Sequence, residues 1–382
     1  MKKIFFSILM LSLAASFTGC SDNDPDQPKP DQPEKPEKPG EDPEPEPGPG
    51  PVTPVYHGMF VANNGSYYNN LPGSLTYIDF ENNEVIEDAF SKANNGMTVG
   101  DTFNDGLVDG DYIYLAVTTS AIIHVIDRET FVLVKEIPTN SDAGPRHLCA
   151  YNGKVYATLF GQPGYVIEID PSTLEITNTL EVGPLPEYIV SFNDEIYVAV
   201  SDAYGTGIGS NVTVIDPATF TISREITGLI NAVELATNGE QLFVSSWGTY
   251  NENWQQINYG IFQVENYELK DIDCPGIYMA IDGSRLYYLD AAYDEPVGYK
   301  VYDIATSTSS TWIEGDAVEL PNGIGVDPKT GNVFILSYEL NDWGYGAYDL
   351  PGYVKEFTAE GTEVTTYQVG IGPSSIFFNI SE

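Results

Sequence analysis

The chain has 382 residues, 42% of them hydrophobic, with 56 Asp and Glu against 16 Lys and Arg. Its formal net charge of −40 repels nucleic acid and anionic membranes and argues against polyphosphate or strongly anionic ligands. The same charge keeps an exposed protein soluble, and the apolar content suffices for a large core.

Met1-Lys2-Lys3 followed by an apolar run to Phe17 has the pattern of a signal peptide, residues 1–19, rather than of a spanning helix. Phe17-Thr18-Gly19-Cys20 reads as a lipobox with Cys20 as the acylated residue, Phe17 standing where Leu is commoner. Residues 20–54 form the tether: positions 21–54 hold twelve Pro and ten acidic residues against three Lys, which cannot bury a core. At ~3.1 Å per residue in polyproline II, such a segment reaches on the order of 100 Å. Of the total charge the tether carries −7 and the leader +2, leaving about −35 on residues 55–382. Ser21-Asp22-Asn23-Asp24 resembles the acidic export signal of bacteroidete surface lipoproteins. It implies an outer-membrane protein, lipid-anchored and facing the cell exterior, with the anchor as its one membrane contact. A periplasm-facing lipoprotein is the alternative.

From residue 55 a unit recurs seven times, anchored by a short apolar strand with a central aromatic: Phe60, Tyr114, Tyr156, Tyr197, Phe243, Tyr287 and Phe334, spaced 54, 42, 41, 46, 44 and 47 residues apart. A second run follows each anchor (VTVIDPAT is one copy), whose period-two alternation predicts a half-buried strand ending in an Asp-Pro-type turn. A further strand such as FTISREIT follows. A strand with Pro near its start precedes several anchors, as in 144–154, 185–195 and 320–332. The first anchor lacks one, and the pattern reappears at 370–380, including Pro373. The expected fold is all-β: a seven-bladed β-propeller with four-stranded blades, closed by the C-terminal strand completing the first blade.

In such a meander the loops joining strands 2–3 and 4–1 share one face, and short turns occupy the other. The 2–3 loops carry three of the four Trp (Trp247, Trp254, Trp343) together with Tyr67, Tyr68, Tyr204, Tyr250, Tyr259, Tyr293, Tyr345 and Tyr348, and no Lys or Arg. Tyr and Trp give rigid amphipathic contact area, while neighbouring Asn, Gln, Ser and Gly adapt their hydrogen bonds. This composition suits a broad, partly apolar ligand; mutual packing of the rings to order the loops is the other reading. Aligning the first strands on their Pro places Arg146, Glu187, Asn322 and Ser374 at the channel mouth, with Asn104 equivalent. There they fix polar groups of a ligand or border a water-filled channel.

Cys149 and Cys274 fall in blades 3 and 6 of this register, so they read as separate buried thiols. The pattern contains no metal-ligand spacing and no cofactor motif; the Asp101 to Asp111 run fits no calcium loop. Of the three His, only His147 stands near the channel mouth as an acid or base, and no nucleophile or paired-carboxylate motif accompanies it. The chain reads as a non-enzyme.

The phrasing Tyr-Val-Ala-Val followed by Val-Thr-Val-Ile-Asp-Pro-Ala-Thr resembles the YncE-like, surface-layer-type seven-bladed propellers over residues 56–380. With the lipobox, the acidic signal and the Pro-rich leash, the chain further resembles the BtuG-type lipoproteins. That resemblance implies capture of cobalamin (vitamin B12) or related corrinoids and their handover to a TonB-dependent outer-membrane transporter of the BtuB type. A corrin, wide, flat and fringed with neutral amides, matches the base-free aromatic face. A glycan- or peptide-binding surface propeller is the rival, and a streptogramin-lyase-like enzyme using His147 a further one.

Overall fold

The computed structural model describes residues 56–139, 142–201, 210–293 and 295–381. The signal peptide, Cys20 and the tether lie outside the described residues, as does Tyr204. The fold is a seven-bladed β-propeller of four-stranded antiparallel sheets. Blade 1 runs outward from Pro373–Ile380 through His57–Asn63 and Ser74–Asp79 to Glu84–Ile86. Blades 2 to 7 begin with the inner strands Phe103–Asp109, Ala143–Tyr151, Pro186–Phe192, Ala232–Thr237, Tyr278–Asp282 and Leu320–Val326. Each inner strand touches the next, and the last touches Pro373–Ile380, so the ring closes.

The anchor aromatics owe their periodicity to the gaps between blades. Each gap holds its own apolar layer: Phe60 and Leu75 of blade 1 pack with Phe103 and Leu115 of blade 2. Tyr197 and Val212 of blade 4 pack with Leu242 and Val264 of blade 5, and Phe334 of blade 7 returns to Met59 and Val61 of blade 1. Second strands are therefore covered on both faces. So are third strands in blades 1 to 4, which corrects the half-buried expectation drawn from their alternation. The polar members, Thr76, His124, Glu168 and Thr213, are buried, His124 against Phe90 and Val99 ahead of blade 2 and Thr213 against Val182 of blade 3. They persist there because each has a partner: Asn63 Nδ2 donates to Thr76 at 3.1 Å, His124 Nε2 meets the Val99 carbonyl at 2.8 Å, and Glu168 accepts from Thr177 at 2.6 Å. Fourth strands such as Thr221–Thr227 face solvent with polar residues.

The strand-3 corners share one device. Asp79, Asp127, Asp170, Asp216 and Asp303 each accept backbone N–H bonds from two or three residues ahead, an Asx turn that ends the strand. Cys149 lies in blade 3 as expected, but Cys274 ends the outer strand of blade 5, Glu268–Cys274, not blade 6. The inner strand of blade 6 begins only at Tyr278, three residues after Pro275, so Cys274 stays with the preceding outer strand. Both thiols are buried and free.

Closure rests on the pairing of His57–Asn63 with Pro373–Ile380, in register from His57 opposite Ile380 to Ala62 opposite Ser375. Phe377 stacks on Phe60 at 5.0 Å and fills the space over Gly106, where any Cβ would stand 2.2 Å from the Phe377 ring. Arg128 of blade 2 clamps the strand's end, bonding Asn379 Oδ1 at 2.7 Å and the Ile380 carbonyl at 2.9 Å. Phe377→Ala should cost about 3–5 kcal/mol of unfolding free energy in urea, and a cost under about 1 kcal/mol would contradict this account of closure.

Candidate functional site

Backbone bonds tie the 2–3 loops to the 4–1 linkers, so both classes emerge on one face. Asn64 N–H donates to the Gly372 carbonyl at 2.7 Å, Thr118 N–H to Thr102 at 2.9 Å and Trp247 N–H to Asn231 at 2.8 Å. Trp247 and Trp254 of blade 5 and Trp343 of blade 7 thus share this face by topology. Trp312 lies on the outer strand of blade 6 against Tyr287 and Phe357.

The long loops are folded. In blade 5 a two-stranded ribbon pairs Thr249–Tyr250 with Gln256–Ile257, and Asn251 Oδ1 accepts from Asn253 N–H at 2.9 Å and Gln255 N–H at 3.1 Å. Blade 7 repeats the device: Asn341 Oδ1 accepts from Trp343 N–H at 2.9 Å and Tyr345 N–H at 3.1 Å. Each turn holds a Trp outward, Trp254 at 74% exposure and Trp343 at 84%, with Tyr68 of blade 1 at 93%. Tyr67, Tyr250, Tyr293, Tyr345 and Tyr348 are exposed as well.

Two of the expected site aromatics serve the loops themselves. Trp247 is half-buried, packs edge-on against Tyr278 at 6.2 Å and donates from Nε1 to the Tyr250 hydroxyl at 3.3 Å. The Tyr259 hydroxyl donates to Asp290 at 3.1 Å, and its phenol is pushed up to about 12 by burial and then by that carboxylate. Two hollows open between the loops. One, about 420 Å³, lies between blades 5 and 6 and is lined by Gln256, Asp290, Tyr293 and Glu295. The other, about 250 Å³, lies between blades 7 and 1.

At the channel mouth six of the seven inner strands carry one extra residue beside their start. Such bulges re-aim side chains. They bring Asn104, Arg146, Glu187, Asn322 and Ser374 to the mouth, where each stitches neighbouring blades together. Arg146 Nε meets Glu187 Oε2 at 2.7 Å, and its Nη1 donates to Asn104 Oδ1 at 3.1 Å. The Ser374 hydroxyl lies 3.0 Å from the Ala62 carbonyl and 3.1 Å from that of Phe103. Asn322 Nδ2 donates to the Pro373 carbonyl at 2.8 Å, and its Oδ1 accepts from the Tyr278 hydroxyl at 3.4 Å.

Sequence reasoning missed Asp105, Tyr188, Glu234 and Tyr278 at this mouth. The inner strands of blades 5 and 6 lack the Pro on which the strands were aligned; the inner-strand position after the bulge was the usable signal. His147 is buried, stacked on Tyr188 at 3.9 Å, with Nδ1 3.4 Å from Asp105 Oδ2 but making no hydrogen bond. Asp105 instead accepts from Ser375 at 2.7 Å and Leu148 N–H at 3.1 Å. No group of three or more His, Cys, Asp or Glu suited to a metal occurs among the described residues.

Glu234 is the mouth's most perturbed carboxyl. Enclosed by the channel wall, it is pushed from 4.5 up to about 8 by burial, against a 2.9 Å bond from Met279 N–H and with repulsion from Glu187 adding to the rise. The folded chain thus binds a proton there that the unfolded chain releases near 4.5. This contribution to stability is full below that pH and is lost as pH rises through about 8. Glu234→Gln should flatten the fall in denaturation midpoint between these limits, and an unchanged slope would contradict the assignment.

No helix among the described residues is long and apolar enough to cross a membrane. No curated protein matches the sequence. Among solved structures, a functionally unknown protein from Desulfotomaculum acetoxidans is similar with a TM-score of 0.57 and 14% identity, over 86% of this chain and 100% of that one. The hydrazine synthase of Kuenenia stuttgartiensis is similar with a TM-score of 0.50 and 14% identity, over 69% of this chain and 86% of that one. At this identity both speak to the propeller fold alone. The family model described as a domain of unknown function, DUF5074, matches residues 57–379, and the chain belongs to that family.

Proposed function

We propose that the propeller is a non-catalytic receptor that holds cobalamin or a related corrinoid on its aromatic face. In this reading Cys20 anchors it to the outer membrane, the tether lets it face outward, and it passes the ligand to a TonB-dependent transporter. One observation carries the binding part. Folded loops of blades 1, 5 and 7 hold Tyr68, Trp254 and Trp343 largely exposed on one face, in loops without Lys or Arg.

Exposed rings on ordered loops favour a partner, because the ordering cost is met before binding. Trp254 even takes a left-handed backbone, φ 63°, which bulky residues avoid. A wide neutral macrocycle would cover several rings at once, and its amides would meet the mouth's hydrogen-bonding groups.

A glycan is the second reading, favoured by the hollow between blades 5 and 6. There the exposed ring of Tyr293 stands beside Gln256 and Asp290, the platform-and-polar-rim arrangement that suits a sugar.

Calorimetric titration with cyanocobalamin should give micromolar or tighter binding, weakened at least about tenfold in Trp254→Ala/Trp343→Ala, the factor expected for losing stacked rings. Absence of binding at micromolar concentration would sink the corrinoid assignment, and a glycan-array response in its place would select the second reading.

A further inference from the structure

The channel mouth holds an acid with an unused oxygen. Glu234 stands on the inner strand of blade 5, beside its bulge, and is partly open to solvent. Its backbone N–H donates to the Ser245 hydroxyl at 3.2 Å, and its Oε2 accepts from Met279 N–H at 2.9 Å. Oε1 makes no hydrogen bond among the described residues and keeps solvent-accessible surface.

The surroundings decide its charge. The titratable groups that interact with it are Glu187 and Tyr188 of blade 4 and Tyr278 of blade 6. Arg146 meets Glu187 at 2.7 Å, Asp105 accepts from Ser375 and Leu148, and His147 stacks on Tyr188. Glu195 and Asp282, on the adjoining strands, stand at their turn-side ends. Among the described residues no basic side chain pairs with Glu234, and burial holds it as the neutral acid below about 8. With Oε2 taken by Met279, the acid's proton belongs on Oε1. A neutral carboxyl so placed is a donor in want of an acceptor.

We propose that the channel mouth is a subsite for one neutral carboxamide, whose carbonyl oxygen accepts the hydrogen bond from Glu234 Oε1. The carboxylate of Glu187 is an acceptor suited to the same amide's N–H. The inference rests on the corrinoid reading for its natural ligand: an amide arm of the corrin enters the mouth while the ring lies on the aromatic face. Ionisation of Glu234 removes the donor and sets a negative charge against the carbonyl oxygen. Binding is therefore full while the acid is protonated and weakens as pH rises through about 8.

The test is calorimetric titration of the full-length protein with cyanocobalamin at pH 6.5 and pH 9.5, with circular dichroism to check the fold at both. The dissociation constant should rise at least about tenfold across this span, as for a bound proton lost with its midpoint near 8. Glu234→Gln should hold its affinity within about threefold over the same span. Its amide oxygen can take the Met279 bond and its NH2 the donor's place. Unchanged affinity in the native chain, or a fall that persists in Glu234→Gln, would overturn the subsite and leave the receptor reading intact. If no corrinoid binds, the receptor reading fails, and the subsite is decided with propionamide as the probe. The infrared band of the protonated Glu234 carboxyl, identified by its loss in Glu234→Gln, is titrated with and without molar propionamide. A midpoint raised by the amide supports the subsite, because a ligand of the acid form holds its proton on; an unmoved midpoint overturns it.

Discussion

The pairing of the C-terminal strand with the first strand of the chain is the constraint from which the rest follows. It gives blade 1 its inner strand and gives every blade two neighbours. An open array would leave Met59, Val61 and Ile78 uncovered against water, since their partners Phe334 and Val354 belong to the last blade. Seven apolar layers between blades, in place of one central core, set the sequence rule that second strands, and third strands in blades 1 to 4, are buried on both sides. They also free the channel lining to be polar.

That rule explains what could be read from residues and what could not. The anchors Phe60 to Phe334 were legible because an aromatic between two sheets has no polar alternative. The closing strand was legible because Pro373 repeats the start of the other inner strands. Burial of His124 and Glu168 was not, because what covers a third strand comes from elsewhere in the chain, as Phe90 and Val99 do for His124. At the mouth, the Pro-based alignment found Arg146, Glu187 and Asn322 but passed over Glu234 and Tyr278, whose strands start without Pro. The aromatic loops were legible as a group, yet composition could not tell that Trp247 and Tyr259 brace the loops whereas Trp254 and Trp343 project from them. That division comes from the Asn251 and Asn341 turns.

The two faces of the ring use polar residues for different ends. On the turn face, acidity belongs to the corners: Asp127, Asp216 and Asp303 are held below the usual carboxylate range by donors from Thr130, Ala218 and Thr306 of their own turns. Part of the large negative charge is thus the chemistry of ending strands. On the loop face, Asn and Gln take the same structural role without charge, and the rings they hold stay available. An aromatic surface whose loops carry carboxylates such as Glu252, Glu295 and Asp342 but no Lys or Arg, on a strongly acidic body, disfavours an anionic competitor.

The central claim is that one face receives the ligand and the other does not. Hydrogen–deuterium exchange with and without saturating corrinoid measures this directly. Slowed exchange is expected in the loops 64–73, 247–259 and 339–350, with no change in the turns at 81–83, 128–131 and 171–174. Protection on the turn side, or spread over the outer strands with the loops unaffected, would contradict it.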